Sequence, residues 1–385
     1  MTRPIRNPAM VLALVSIATT IYMWLFLHAE TQIGIAILLA VAAIVVVIAR
    51  KTGIAGRIEA AGARRPGLAQ IWAAGSTLAL IALFYDQHFV LLMICAVLLY
   101  TTAGLGLTLQ FGFSGVANFA GAAFFGIGAY ATAVLATHTG IPHLLIVVIS
   151  GLIAAVIGSV LITPVLRTRG HYAALVTIAF GILFKTFIEV NDVLGGPQGL
   201  QVPGMKLFGH SLNEPFSIFG HEASFYVSYA VLSLVVCGGI FLIVKALERS
   251  WIGLSMDVVR TDETAAATFG LHIARWKVIA FMMGNFFAGI AGSVYGMLTG
   301  FVAPNNFTFA DSLLMLSIVI LGGLGNAVGL IPAAVIVLVL PEKLQFIQEY
   351  RFLFYAALVI VILLFRPDGL LPRKTRLFFS QETSR

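Results

Sequence analysis

An all-α bundle of membrane-spanning helices is the fold this sequence predicts, and three observations predict it. Of its 385 residues, 60% are hydrophobic and only 10% charged, against roughly a quarter charged in soluble domains. Apolar runs recur along the whole chain at the roughly 17 to 25 residues that a helix needs to cross a hydrocarbon core of about 30 Å. The bases gather between alternate runs, as they do when helices span and positively charged loops stay inside.

In chain order the runs lie near 8–28, 32–49, 68–85, 89–109, 115–137, 142–163, 171–190, 223–247, 277–300, 312–324, 328–340 and 352–365, which makes about 10–12 spans. The first, "MTRPIRNPAMVLALVSIATTIYMWLF", has the basic head of a signal peptide. Its body is long and no A-x-A pattern follows, so it reads as an uncleaved span. The tenth and eleventh runs are short and meet at "GGLGNAVG"; they read as two helices or as a broken, partly re-entrant pair. With the N-terminus inside, the inner segments hold nineteen Lys and Arg, including Arg3, Arg6, Arg167, Arg169 and the five of "RKTGIAGRIEAAGARR". The outer loops hold only Lys206, Lys343 and Arg351, with Lys185 in a span. Both termini are therefore expected in the cytoplasm. The +7 net charge reports topology and contact with membrane lipid rather than nucleic acid, because the bases form no aromatic-interleaved patch. Cys95 and Cys237 sit far apart in apolar runs and read as packing residues.

Two segments outside the runs stand out. The outer loop 191–222, "NDVLGGPQGLQVPGMKLFGHSLNEPFSIFGHE", is long enough to call for a functional reason. The inner loop 248–276, "ERSWIGLSMDVVRTDETAAATFGLHIARW", is expected to hold a helix capped by Ser255 or Asp257, containing Asp262 and Glu263 and stopped by Gly270.

Catalytic chemistry is hard to build from this chain. The stretch 112–132, "GFSGVANFAGAAFFGIGAYAT", matches the G-x-S-G pattern of rhomboid intramembrane proteases at Ser114. That chemistry needs a His at membrane depth, yet His138, His143, His210, His221 and His272 fall in loops and His171 at a span entrance. There is no Gly-Lys dipeptide, so no Walker A loop to hold ATP phosphates. "HEASF" at 221–225 lacks the second His of a zinc helix. No metal or cofactor site is expected.

The small residues of 112–132 fit close helix packing, with Ala117 and Gly121, then Ala122 and Gly126, as small-x-x-x-small pairs. Asn118 is expected on that same helix, facing protein or a hydrated path. "GNFFAGIAGSVYG" at 284–296 places Asn285 before Phe286, Ala288 and Gly289 much as Asn118 precedes Phe119, Ala120 and Gly121. Both spans enter from the cytoplasm, which makes Asn118, Phe119, Phe124, Asn285 and Phe286 candidates for lining one translocation path. Lys185 and Glu189, spaced i,i+4, are expected to meet near the outer end of their span.

Six ordered stretches carry a resemblance: "GFSGVANFAGAAFFGIGAYATAVL", "RTRGHYAALVTIAFG", "GGPQGLQVPG", "RTDETAAATFGLHIARWKVIAF", "FTFADSLLMLSIVILGGLG" and "RPDGLLP". Together they resemble LivM-type permeases of branched-chain amino-acid ABC importers. The resemblance covers about 89–372, which implies a permease domain there, extra transmembrane spans over 1–88 and a cytoplasmic tail over 373–385. It implies a multi-pass protein of the bacterial inner membrane and a transport subunit rather than an enzyme. The implied partners are a LivH-like second permease, two LivG/LivF-like ATPase subunits that bind ATP-Mg, and an extracytoplasmic solute-binding protein. It also implies that Arg260, Asp262, Glu263, Ala265, Ala266 and Gly270 form the loop that docks on an ATPase. Gly196, Pro197, Gln198 and Gly199 are candidates for contact with the binding protein. Two departures are visible. Thr264 stands where importer permeases usually place the docking Glu, with Glu263 one position early. Ile182 in "FGILFK" stands where many relatives carry an acid. Relatives of this type also serve urea, short amides and aromatic acids, so the implied substrate is a branched-chain or other amino acid or a related small polar solute.

Overall fold

The computed structural model describes residues 8–373 apart from 169–170, 208, 215, 219–220, 345–348 and 366–367. Arg3, Arg6, Arg169 and Arg366, and the tail from 374 onward, lie outside the described residues. Among the described residues, ten helices are long and apolar enough to cross a membrane. The chain divides into two compact units, each built from separate stretches of sequence.

The first unit comprises residues up to Leu98, Gly204–Gly239 and Leu338–Arg351. It holds α1 (Pro8–His28), α2 (Gln32–Lys51), α3 (Ile54–Arg64), α4 (Pro66–Leu83) and the start of α5 (His88–Thr108). Small polar residues join α1 to α4: Ser16 and Ser76 share a 2.5 Å hydrogen bond between their hydroxyls. α2 is nearly bare, with 6% of its span buried, and its Ile and Val side chains are suited to lipid. Lys343 Nζ donates to the carbonyls of Leu27 at 2.5 Å and Ala29 at 3.2 Å, closing the C-terminal end of α1, where a cation is favoured. Burial pushes its ammonium below the ordinary lysine value, against a smaller opposing pull from Glu30. Cys95 and Cys237 are both buried and unbridged.

The second unit comprises Leu99–Pro203, Ile240–Val337 and residues from Phe352. Its core is a trio: α6 (Gly121–His138), α7 (His143–Arg167) and α12 (Ile273–Thr299). Without a hydrophobic drive between helices in lipid, close packing needs small residues at the crossings. A Cβ at Gly128 would run into the Gly289 carbonyl, and one at Gly292 into the Phe125 carbonyl. Polar side chains join the same helices: Thr132 Oγ1 lies 2.8 Å from Ser150 Oγ and 2.6 Å from Ser293 Oγ. The expected packing pairs are thus corrected. Ala117 is outside the helix, Gly121 faces Leu107 and Met315, and Gly126 faces Phe307 and Phe184, while of the three α6 glycines Gly128 makes the closest approach to α12.

Around the trio stand α8 (His171–Val190) and a helical hairpin, and the unit also includes the inner part of α9 (Tyr226–Arg249). The hairpin settles the short tenth and eleventh runs. α13 (Phe309–Gly322) opens on a capping box between Thr308 and Asp311, and with Pro304–Asn306 it makes a 19-residue span. The return arm is α14 (Leu330–Ala334); the chain then passes through a π-turn (Val335–Val339) into α15 (Leu340–Lys343), which belongs to the first unit. A final helix, α16, covers Arg351–Phe365. Lys185 and Glu189 pair at 3.0 Å on α8, and Ile182 is exposed on the same helix.

Candidate functional site

The helix expected over 115–137 is broken at its start. α5 runs into a π-turn, Leu109–Phe113, and residues 115–120 are non-helical until α6 begins at Gly121. Asn118 therefore sits on an unwound segment, not on the helix expected to carry it. Backbone groups away from water must find partners, and side chains supply them. The Phe119 amide donates to Thr177 Oγ1 at 3.1 Å, the Ala120 amide to Asn118 Oδ1 at 2.9 Å, and the Ala122 amide to Ser312 Oγ at 3.1 Å. Ser114, the nucleophile of the protease pattern, donates its hydroxyl to the Gln110 carbonyl at 2.8 Å.

The unwound segment brings three amides together. Asn118 Nδ2 donates to Gln110 Oε1 at 2.8 Å and to Asn285 Oδ1 at 3.2 Å. Gln110 Nε2 donates to Asn285 Oδ1 at 2.9 Å and to the Phe281 carbonyl at 3.0 Å. All three residues are at most 1% exposed. The Asn285 Nδ2 group has no acceptor among the described residues, and it occupies the space that a side chain at Gly158 would fill. Asn118 and Asn285, picked out by sequence, thus touch each other inside a buried cluster. Gln110 was missed because it lies in "GLTLQFGF", which reads as the unremarkable end of a span. Phe124 stacks on Phe180 at 5.3 Å and is fully buried. Phe119 and Phe286 are half-buried, Phe119 edge-on to Phe111 and Phe286 against Gly151.

Below this cluster the inner loop forms two helices where one was expected: α10 (Trp251–Thr261) and α11 (Glu263–Thr268). The caps differ from those expected. Ser250 caps α10, and Asp262 caps α11 by accepting from the amides of Thr264 and Ala265 at 2.8 and 3.0 Å. Ser255 instead donates to the Trp251 carbonyl. Gly270 ends α11 at φ 78°, with the Leu271 amide returning to the Ala266 carbonyl at 3.0 Å, the six-to-one bond of a Schellman stop. Glu263 pairs with Lys277 at 2.5 Å, and Ala266 is buried. Asp257, Val258, Thr261, Asp262 and Ala265 line an open groove of about 260 Å³ between the two helices. Nearby, Phe269 is 81% exposed, a large apolar side chain the sequence reading passed over.

Two contacts tie α10 to the π-turn that carries Gln110 and to the unwound segment that follows it. Arg260 packs against Gly115. Asp257 receives two hydrogen bonds from the Arg373 guanidinium at 2.6 and 2.7 Å. The same guanidinium donates to the Gly112 carbonyl at 3.2 Å and lies 4.0 Å over the Phe113 ring. Arg373 is therefore fixed in place. The preceding turn holds it there: the Leu370 amide donates to the Leu321 carbonyl at 2.8 Å, and Asn326 Nδ2 to the Leu371 carbonyl at 2.9 Å.

On the opposite side of the unit, the outer-loop candidates divide. Pro197 and Gln198 are exposed, Gly196 is buried and Gly199 half-buried. Gly199 packs against Val302 and Ala303, beside the short antiparallel pairing of Leu200–Gln201 with Phe301–Val302. Only Pro197 and Gln198 offer side chains to a partner.

The profile of the family described as "Branched-chain amino acid transport system / permease component" matches residues 89–363. The high-affinity branched-chain amino acid transport system permease protein LivM of Escherichia coli K12 is 37% identical over 290 residues, which is 71% of this chain and 68% of that protein. The corresponding LivH of E. coli K12 is 25% identical over 296 residues, 71% of this chain and 91% of LivH. A probable LivM of Methanocaldococcus jannaschii is 23% identical over 325 residues, 72% of this chain and 91% of that protein. No solved structure matches.

Proposed function

Since the chain belongs to the branched-chain amino-acid transport permease family, we propose that it is the LivM-type half of an ATP-driven, binding-protein-dependent importer for branched-chain or other small amino acids. In this reading it pairs in the inner membrane with a LivH-like permease. Two ATPase subunits bind and hydrolyse ATP-Mg, and a solute-binding protein delivers substrate toward Pro197 and Gln198. This chain binds no cofactor of its own.

The observation that supports the reading best is the connection from α10 to the amide cluster. A partner seated in the groove between α10 and α11, with Phe269 as its apolar anchor, would grip Asp257 and Asp262 directly. Movement of α10 passes through Arg260 and Arg373 to Gly115 and Gly112, on either side of Ser114. It then reaches Gln110, whose amide joins the α6 side to α12. Breaking and remaking amide contacts opens a path, because each amide that leaves the cluster exposes a polar wall. The test is reconstitution with LivH-like, ATPase and binding-protein partners. ATP-dependent uptake is expected; uptake driven by a cation gradient without ATP or partners would overturn the reading in favour of a secondary transporter.

Two variants probe the parts. Gly270→Val forces a β-branched residue into the left-handed region, misdirecting the end of α11. Complexes are expected to lose substrate-stimulated ATPase activity, or the ATPase subunits themselves, while the permease is extracted at normal yield. Asn285→Leu removes the acceptor shared by Gln110 and Asn118. Stranding buried donors costs about 1–3 kcal/mol, so uptake is expected to fall several-fold with complex yield near normal. Loss of yield before loss of uptake would make the cluster a packing device.

A further inference from the structure

The permease profile begins at residue 89, so the family gives α1–α4 no task. Between Arg50 and Arg65 the sequence carries five bases and a single acid, Glu59. α3 occupies most of that stretch, joining the inner end of α2 to the inner end of α4, and it packs against α1, α2 and α4. Its burial is one-sided. Ala61 is fully buried, and Ala55, Ile58 and Gly62 are half-buried. Arg57, Ala60 and Arg64, spaced i, i+3 and i+7, are exposed, as are Lys51 and Arg65. Lys51, Arg57, Arg64 and Arg65 take no part in the four ion pairs recorded elsewhere in the chain, Lys185–Glu189, Lys245–Glu248, Lys277–Glu263 and Arg373–Asp257.

The flanking spans supply the second half of the argument. Only 6% of the α2 span and 11% of the α4 span are buried, so both present apolar surface right up to the basic helix. A free anion would satisfy the bases and leave that surface unused. A phospholipid satisfies both, with a phosphate against the bases and acyl chains along the spans. In-plane amphipathic helices with basic outer faces bind membranes in this way, and anionic headgroups add to the attraction.

We propose that α3 is an anionic-phospholipid site at the inner membrane surface, in which Lys51, Arg57, Arg64 and Arg65 hold headgroup phosphates while the acyl chains cover α2 and α4. The proposal concerns the extra N-terminal spans and stands independently of the importer reading. Specificity is by charge, so phosphatidylglycerol should bind and phosphatidylcholine should not.

The test uses the full chain in nonionic detergent, titrated with either lipid and followed by thermal unfolding and by lipid retained through washing. The wild type is expected to gain midpoint temperature with phosphatidylglycerol only, less so in high salt. Arg57→Gln/Arg64→Gln/Arg65→Gln should lose about a hundredfold in apparent affinity, at roughly fivefold for each of the three bases near a charged surface. Its midpoint in phosphatidylcholine should be unchanged, and Arg57→Lys/Arg64→Lys/Arg65→Lys should retain binding. Arg167→Gln/Arg249→Gln/Arg275→Gln, which removes as many inner bases elsewhere, should behave as wild type. Equal lipid response in the α3 variant, or an equal loss in the control, would overturn the proposal and leave the bases as topology signals only.

Discussion

Gly292→Val should reduce the folded protein recovered from membranes by about tenfold or more, the largest effect expected of any single substitution considered. The Phe125 carbonyl occupies the space a Cβ would need, and that carbonyl is backbone, so no rotamer change relieves the clash. Either α6 and α12 separate or their helical hydrogen bonds distort. Separation also disturbs the neighbouring Gly128–Gly289 approach and the Thr132–Ser293 contact. Overpacking a well-packed site costs about 1–3 kcal/mol when side chains can yield, and more when they cannot. Gly292→Ala should already lower recovery, because the added atom is the Cβ itself. Gly239→Val is the control: that helical glycine has open space around it. Fluorescence-detected gel filtration of detergent extracts reads all three, and equal recovery of Gly292→Val and Gly239→Val would mean that α6 and α12 cross elsewhere.

Arg373→Ala should uncouple the complex. Its guanidinium joins Asp257 on α10 to the Gly112 carbonyl, and the two charged side chains are 14% and 31% exposed. Charge-assisted, bidentate hydrogen bonds of this kind are worth about 1.5–3 kcal/mol; solvent screening at Asp257 favours the lower end. Loss of that amount shifts the clamped arrangement by roughly tenfold or more. In reconstituted complexes, ATP hydrolysed per substrate imported should rise by a similar factor, with ATPase subunits still bound. Asp257→Ala should match it, and the double variant should be no worse than either single one, since both remove the same link. Additive losses would show that the two residues act separately.

The span pattern and the family were legible in the sequence, because burial in lipid constrains composition over twenty residues at a time. Single-residue features were not. Asn118 reads as helical because Ala and Gly dominate its neighbourhood, yet Thr177 and Ser312, far along the chain, supply the hydrogen bonds that let the segment unwind. Asp257 reads as a cap because of its position in a polar loop, and nothing local shows that Arg373 will claim it. Gly270 was legible, since a helix stop is a local event; Gly128 was less so, because several glycines compete and only the partner helix decides among them. Gln110 carried no signal at all: its importance lies entirely in what two other segments bring to it.

The unwound stretch before α6 changes what motion costs in this unit. A straight helix resists internal displacement by whole turns, since one hydrogen-bond ladder must open together. Between residues 115 and 120 the ladder is replaced by individual bonds to Thr177, Asn118 and their neighbours. Each can be exchanged for another at a net cost on the order of 1 kcal/mol, without its neighbours giving way. The segment therefore works as a bearing set into a stiff frame: friction is low along one short piece of chain, while the glycine-packed helices beside it hold their places.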